Sequence, residues 1–220
     1  MRAGEFIEQL LFPPRCEFCD EILPIGGSCG KCSRILKSSE ISLSDMFGDN
    51  NLRNLDSVDC AIACYTYKDE IRELLSRYKF LYRRELRSLI SRRMTELVRE
   101  IYGESEIDAV VAVPSYRNKN PHAELLAKDI AYNLGVGFYR SALVKKRKTA
   151  KQHSLRGDER AENLSRAFTA REAVRYKTVL LCDDVITSGS TFNECAKALK
   201  SAGAEFVLCV AFAAAMLDRE

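Results

Sequence analysis

The stretch that decides the fold is residues 179–191, which read Val-Leu-Leu-Cys-Asp-Asp-Val-Ile-Thr-Ser-Gly-Ser-Thr. Its first four residues, 179–182, are all apolar, as in the buried strands of parallel sheets. This run ends at two carboxylates, Asp183 and Asp184, and a loop of hydroxyl residues follows. Residues 192–201 then place apolar side chains at helical spacing. The stretch therefore predicts a buried strand, a short polar loop and a helix in succession.

The loop between this strand and this helix has the features of an anion site. Backbone N–H groups in a first helical turn have no acceptor within the helix, and the helix dipole is positive there. Gly189 lets the backbone approach a ligand closely, and hydroxyl donors are available from Thr187, Ser188, Ser190 and Thr191. We therefore expect this loop to bind a phosphate.

Asp183 and Asp184 suit the hydroxyls of a sugar attached to that phosphate, or a Mg²⁺ ion held through water. An ordinary strand–helix turn with a solvated acidic pair is the alternative. In residue type and order, the stretch 179–191 closely resembles the phosphoribosyl pyrophosphate (PRPP) signature of type I phosphoribosyltransferases. The resemblance implies a phosphoribosyltransferase-like fold, PRPP bound together with Mg²⁺, and Asp183 and Asp184 as the catalytic pair.

Composition narrows the class of protein. With 220 residues and 46% hydrophobic content, the chain can bury one core and support a small second module. A formal net charge of +3 is close to neutral, so a nucleic-acid surface would have to be local. No apolar run is long enough to span a membrane, and Glu5 and Glu8 interrupt the apolar segment that a signal peptide needs. We expect a cytoplasmic protein without membrane insertion.

Four of the nine cysteines form two C-x₂-C pairs, Cys16 with Cys19 and Cys29 with Cys32. This spacing is typical of two knuckles that bring four thiolates to one tetrahedral zinc ion, which has no open position for catalysis. Redox or disulfide use is the alternative, but disulfides need an oxidising compartment. The other five cysteines lie in apolar surroundings and are expected in the core: Cys60, Cys64, Cys182, Cys195 and Cys209.

The chain is divided into an N-terminal helix with the four-cysteine zinc module (1–45), a linker or hood (46–57) and a domain (58–220) that the resemblance implies is phosphoribosyltransferase-like. Strands are expected at 60–67, 108–113, 136–143, 179–182 and 204–213. Helices are expected at 1–12, 69–101 (two, broken near Lys79-Phe80), 121–134 and 192–201, and 154–168 is expected to include a short charged helix. Strands that alternate with helices from residue 58 onward predict an α/β fold with a parallel, doubly wound sheet and flanking helices.

Ligands of such sheets bind at the carboxyl ends of the strands. By the same resemblance, 114–121 corresponds to the pyrophosphate loop, with Arg117 and Lys119, and 145–156 corresponds to the flexible loop that closes over pyrophosphate. The cations of the second loop are Lys145, Lys146, Arg147, Lys148 and Lys151. Such charges can stabilise a departing pyrophosphate or contact another polyanion. A solvated basic run is the alternative.

Motifs over residues 13–213 resemble the ComF family. They are the four-cysteine module, Tyr-x-Tyr, Tyr78-Lys79-Phe80, Val113-Pro114, Thr149-x-x-Gln152-x-x-Leu155, Glu159-Arg160-x-x-Asn163-x-x-x-Ala167-Phe168 and the stretch 179–191. ComF proteins are bacterial, phosphoribosyltransferase-like and associated with natural competence, the uptake of DNA. One departure is Asn118-Lys-Asn-Pro-His122, where this family usually has Arg-Gly-Phe-Asn-Gln.

The sequence is compatible with two classes of function. In the first, the chain binds PRPP or a related phosphorylated ligand and contacts single-stranded DNA or competence proteins. In the second, it transfers phosphoribosyl from PRPP to a nucleobase-like acceptor. The altered loop favours the first class, and His122 is interpreted either as a surface residue at a helix start or as a substituted ligand. Cations of 68–101, interleaved with Tyr78, Phe80 and Tyr82, can contact a DNA backbone and stack bases, although most of these aromatics are expected in the core.

Overall fold

The computed structural model of the chain describes residues 12–25, 27–47, 55–81, 84–103, 107–116, 121–146, 167–171 and 176–216. Within these ranges the helices are α1 (Gly30–Ser39), α2 (Leu43–Phe47), α3 (Asp69–Leu81), α4 (Arg84–Tyr102), α5 (His122–Leu134) and α6 (Ser190–Ser201). The strands are β1 (Cys60–Thr66), β2 (Ala109–Ala112), β3 (Gly137–Phe138), β4 (Leu143–Lys145), β5 (Phe168–Ala170), β6 (Thr178–Ile186) and β7 (Phe206–Ala214).

Five of these strands form one parallel sheet in the order β1-β7-β6-β2-β3. The predicted parallel α/β fold is thereby confirmed. The strand β6 pairs with β7 along its whole length and with β2 over residues 179–182. Residues 179–182 have no solvent exposure, because neighbouring strands flank them and helices cover them. This burial explains why the run contains only apolar side chains.

β6 is longer than its apolar run predicts. It continues through Asp183 and Asp184 to Ile186, because β7 offers backbone partners as far as Ala214. The prediction that the strand ends at Cys182 was therefore wrong, since pairing with the neighbouring strand sets its end. The acidic pair consequently lies on a paired strand and is held by the sheet.

Helices cover both faces of the sheet. α4 and α5 pack against each other, α4 also contacts β1 and β7, and α5 contacts β2 and β6. α6 packs against β6, β7 and the hairpin formed by β4 and β5. The chain passes from β2 to β3 in one direction across the sheet and from β6 to β7 in the other. Right-handed crossovers therefore place α5 and α6 on opposite faces.

Residues 136–143 do not form the single strand that their pattern predicts. β3 pairs with β2 only at 137–138, and a turn follows in which the Ala142 N–H donates to the Tyr139 carbonyl (3.3 Å). This turn redirects the chain, and β4 pairs antiparallel with β5 in a separate two-stranded sheet.

Helices expected at 69–101 and 121–134 are confirmed: α3 is described to Leu81, α4 is described from Arg84, and a left-handed Gly135 (φ 72°) ends α5. The expected helices at 1–12 and 154–168 lie, apart from a few terminal residues, outside the described residues, as do positions 48–54 of the expected linker. Among the helices that are described, none has the length and apolar character needed to cross a bilayer.

The N-terminal elements pack directly onto the sheet domain. α1 contacts α3 and β1, and α2 contacts β1. Buried Cys16 and Phe18 belong to the same hydrophobic cluster as the residues of the sheet. Ion pairs from α4 reinforce this packing, from Arg92 to Glu17 (3.3 Å) and from Arg93 to Glu40 (2.9 Å).

Candidate functional site

The strand order reverses between β2 and β6. The connection that leaves β2 leads to β3 on one side, whereas the connection that leaves β6 leads to β7 on the other. The two connections diverge and leave a crevice at the carboxyl ends of these strands, which is where open α/β sheets bind ligands. Val113, Pro114 and Ser115 line this crevice from β2, and Asp183 and Asp184 line it from β6.

A cavity of about 510 Å³ occupies the crevice. Its wall brings together segments that lie far apart in the chain, including the end of α3, the start of α5, the hairpin and the start of α6. Besides the strand ends, the lining includes Lys79, Phe80, His122, Lys145, Phe168 and Thr191. This volume suits a small organic molecule.

The two carboxylates of the cavity are held in different ways. Asp184 is only 9% exposed, and its Oδ2 lies 2.9 Å from the Lys79 Nζ in an ion pair. Asp183 is half-buried, and its Oδ1 accepts a hydrogen bond from the backbone N–H of Asp184 (2.8 Å). Each carboxylate therefore has a defined partner in the structure.

Burial and mutual repulsion set the charge of this group of residues. Burial, followed by the neighbouring Asp184 charge, raises the pKa of Asp183 to about 8. Burial lowers the pKa of Lys79, but the Asp184 carboxylate outweighs that effect, so the pKa is raised and the ammonium stays charged. The raised pKa of Asp183 therefore reduces the negative charge of the pair, and Lys79 forms an ion pair with Asp184.

The loop after β6 meets the helix in a conformation that favours glycine. Gly189 has φ 74° and ψ −17°, in the left-handed region, and is the N-cap of α6. The first intrahelical hydrogen bond runs from the Asn193 N–H to the Gly189 carbonyl (2.9 Å). The N–H groups ahead of Asn193 therefore lie at the positive end of the helix, with Thr191 on the cavity wall.

A comparison of this sequence with known protein families agrees with the geometry of the crevice. Residues 84–220 match the model of the phosphoribosyl transferase domain. The chain belongs to the phosphoribosyl transferase domain family. The matched part contains β2, β6 and α6, and therefore both strand ends that form the crevice.

Two homologues of this phosphoribosyl transferase domain protein confirm its resemblance to the ComF family. Competence protein F of Haemophilus influenzae is 27% identical over 212 residues, which cover 87% of this chain and 93% of that protein. DNA utilization protein YhgH of Escherichia coli is 27% identical over 217 residues, 90% of this chain and 96% of that protein. Among solved structures, a glutamine PRPP amidotransferase from B. subtilis complexed with ADP and GMP has a TM-score of 0.40 and 20% identity, covering 57% of this chain and 26% of that one.

The two adjacent lysines of the expected flexible loop have different surroundings. Lys145 is the last residue of β4, lines the cavity and places its Nζ 5.2 Å from the centroid of the Phe168 ring. Burial lowers its pKa. Lys146 is exposed. The remaining cations expected at the cavity lie outside the described residues of this phosphoribosyl transferase domain: Arg117, Lys119, Arg147, Lys148 and Lys151.

Of the residues expected at the loop after β6, Ser188 is half-buried, Ser190 is buried and Thr187 is exposed. The Ser188 and Ser190 hydroxyls lie 3.1 Å apart. The sheet and α6 therefore bring Asp183, Asp184 and the hydroxyl loop together, as the sequence predicts.

The sequence left His122 open between a surface residue and a substituted ligand, and it did not place Lys79 in the cavity. His122 is 7% exposed, so its interpretation as a surface residue was wrong. Its ring packs edge-on to Tyr78 (5.3 Å between centroids), whose hydroxyl donates to the His122 carbonyl (2.8 Å). Burial lowers the pKa of His122, which keeps the imidazole neutral near pH 7. Lys79 was expected on a basic surface, and the signal that could have placed it was its position in the motif Tyr78-Lys79-Phe80.

The four N-terminal cysteines of this phosphoribosyl transferase domain protein form one cluster. The sulfurs of Cys16, Cys19, Cys29 and Cys32 all lie within 4.8 Å of one another. A tetrahedral zinc with Zn–S bonds of about 2.3 Å separates its sulfurs by about 3.8 Å, and the Cys19 and Cys29 sulfurs are 3.7 Å apart. Burial raises the pKa of Cys16, but backbone hydrogen bonds, first from Cys29, lower it to about 7. The cluster fits a structural metal ion.

The basic segment 68–101 is not a free cationic surface. Arg77, Arg87, Arg92 and Arg93 form ion pairs with Glu73, Asp129, Glu17 and Glu40, respectively. Tyr78 is buried, as expected for a core aromatic, whereas Phe80 is 80% exposed beside the cavity. Tyr82 and Arg83 lie outside the described residues. Within the described residues, these four arginines therefore do not form an unpaired cationic surface.

Proposed function

We propose that the cavity binds PRPP or a related phosphorylated ligand. The 5′-phosphate would lie on the loop from Thr187 to Thr191, and the ribose hydroxyls would face Asp183 and Asp184. The observation that carries this proposal is the meeting of a helix N-terminus, capped by left-handed Gly189, with a partly buried carboxylate pair at one cavity. The first suits a phosphate and the second suits sugar hydroxyls.

The charges around the cavity support the same ligand class. The raised pKa of Asp183 reduces the negative charge of the acidic pair, while Lys79 and Lys145 also line the cavity. A pyrophosphate group would place its negative charge against Lys145, and Arg117 and Lys119 are proposed to assist from the neighbouring loop. The resemblance implies that Mg²⁺ accompanies PRPP. We propose that the pyrophosphate oxygens of PRPP coordinate this ion.

The physiological setting that we propose is DNA uptake. The homologues are named competence protein F and DNA utilization protein YhgH, and the alignments span about nine tenths of this chain. Contacts with single-stranded DNA or with competence proteins would connect the ligand site to this process. None of the nine cysteines forms a disulfide bond, which is consistent with the reducing cytoplasm that we propose for this protein.

Turnover of PRPP is the second candidate function. Lys145 beside the acidic pair favours it, because a preorganised cation stabilises the charge that develops on departing pyrophosphate. Lys145, Lys146, Arg147, Lys148 and Lys151 would then act as the flexible loop over pyrophosphate. Release of pyrophosphate from PRPP in the presence of nucleobases would distinguish transfer from binding alone.

Replacing Gly189 with Ala is expected to weaken PRPP binding at least about tenfold in calorimetric titration, a loss of roughly 1.4 kcal/mol. A Cβ at φ 74° strains the backbone and obstructs a phosphate at the helix N-terminus. Gly135→Ala is a matched control, because Gly135 has φ 72° and ends α5. Equal PRPP affinity in the wild type and Gly189→Ala would contradict the assignment of the loop. Absence of PRPP binding by the wild type would remove the proposed function altogether.

The neighbours Lys145 and Lys146 are expected to separate the two binding activities. Lys146→Ala should weaken single-stranded DNA binding and reduce the log–log salt slope by about 0.7, because one phosphate contact is lost. Lys145→Ala should instead weaken PRPP binding, since its side chain lines the cavity. Fluorescence anisotropy at several salt concentrations and PRPP titration measure the two effects. An unchanged salt slope in Lys146→Ala would place the DNA contacts elsewhere.

We propose that the metal of the cysteine cluster is structural zinc, because four thiolates at tetrahedral spacing leave no open coordination position. Elemental analysis of protein purified without added metal should find about one zinc per chain. Cys29→Ser should lose the zinc and destabilise the fold, whereas Cys60→Ser, outside the cluster, should retain it. Metal-free wild-type protein that is fully folded would contradict a structural zinc.

A further inference from the structure

The Asp183–Asp184 pair already has a cation beside it. The Lys79 Nζ lies 2.9 Å from Asp184 Oδ2, and both side chains line the cavity. An ammonium at this distance donates a charge-assisted hydrogen bond and neutralises a carboxylate as a bound metal ion would. If the acidic pair binds sugar hydroxyls, Lys79 can keep its ion pair with Asp184. If the pair binds a metal ion, that ion would compete with Lys79 for the same carboxylate.

The backbone holds Lys79 in this position. Lys79 is in the last turn of α3, and the preceding residue, Tyr78, is buried. The Tyr78 hydroxyl donates to the His122 carbonyl (2.8 Å) and its ring contacts the His122 ring, which fixes the end of α3 against the start of α5. The ion pair is therefore part of the packed structure and does not depend on a mobile surface lysine.

A Mg²⁺ ion at this pair would conflict with the ammonium. Mg²⁺ requires near-octahedral oxygen ligands at about 2.0–2.1 Å and usually binds through one or two carboxylates. Among the described residues that line the cavity, Asp183 and Asp184 are the only carboxylates. With Lys79 hydrogen-bonded to Asp184, the residues present do not fit a directly bound Mg²⁺ ion, because two cations would compete for one carboxylate.

We propose that Lys79 is the resident cation of the Asp183–Asp184 pair and excludes divalent metal from it, so that a sugar phosphate binds there without protein-bound Mg²⁺. The ammonium has three N–H donors, of which one serves Asp184 and the others remain available to ligand oxygens. Lys79 thus positions Asp184 and contributes to anion binding at the same time. The metal-exclusion part is independent of the proposed function, whereas the sugar-phosphate part rests on it.

Direct Mn²⁺ binding tests the exclusion, with free Mn²⁺ measured by electron paramagnetic resonance on protein as purified. In wild-type protein no Mn²⁺ site should depend on Asp184. Asp184→Asn should therefore leave Mn²⁺ binding unchanged. Lys79→Met, which keeps an unbranched apolar stem, should gain at least tenfold in Mn²⁺ affinity, about 1.4 kcal/mol. Lys79→Arg, which keeps the charge, should behave as the wild type does.

Lys200→Met is a matched control for the loss of a paired lysine. The Lys200 Nζ lies 2.9 Å from Asp59 Oδ1, and the Lys200 side chain is 32% exposed, compared with 34% for Lys79. This control uncovers a single carboxylate remote from the cavity and should gain no Mn²⁺ site. A wild-type Mn²⁺ site that is lost in Asp184→Asn, or a Lys79→Met protein that folds and gains no affinity, would overturn the exclusion by Lys79.

Ribose 5-phosphate tests the ligand part, because it lacks the pyrophosphate that could itself carry Mg²⁺. Its affinity for the wild type should change by less than about twofold, or 0.4 kcal/mol, between EDTA and added Mg²⁺. In Lys79→Met, affinity should fall without Mg²⁺ and recover when Mg²⁺ is added. If ribose 5-phosphate binding by the wild type strictly required Mg²⁺, the inference would be overturned, but the proposed function would remain intact. Absence of ribose 5-phosphate and PRPP binding would remove the proposed function, and the Mn²⁺ result would still decide the role of Lys79.

Discussion

Two adjacent carboxylates at the end of a buried strand are the constraint on which this structure depends. The ladder between β6 and β7 extends through Asp183 and Asp184, so the sheet itself holds both groups in a partly desolvated place. Removing carboxylates from water is costly unless protons or cations compensate for it. Here the raised pKa of Asp183 and the ion pair between Asp184 and Lys79 provide both forms of compensation. Such perturbed groups, gathered in one cavity, are typical of functional sites.

The local parts of this site could be predicted from the sequence. Apolar residues 179–182, the hydroxyl loop and the following helical pattern form one continuous segment, so neighbouring residues alone indicate a strand, a loop and a helix N-terminus. The cysteine cluster could be predicted for the same reason, because the spacing within each C-x₂-C pair encodes a knuckle. The α/β alternation likewise follows from periodicity, which acts over a few residues.

The remaining parts depend on contacts between segments that are distant in the chain. Lys79 and His122 reach the cavity only because α3 and α5 pack together through Tyr78, and no local pattern encodes that contact. The end of β6 is determined by the length of β7, and the division of residues 136–143 is determined by pairing of β4 with β5. Charge patterns were misleading for a related reason. Several arginines of 68–101 form ion pairs with carboxylates on other elements. The number of cations in this segment therefore does not indicate how much unpaired basic surface it presents.

We propose above that a phosphorylated sugar binds with its phosphate at the N-terminus of α6. A crystal structure of the wild-type protein grown with PRPP tests this most directly. We expect the 5′-phosphate on the backbone N–H groups around Gly189, with the ribose hydroxyls facing Asp183 and Asp184. PRPP bound elsewhere while the N-terminus of α6 contacts only solvent would contradict it.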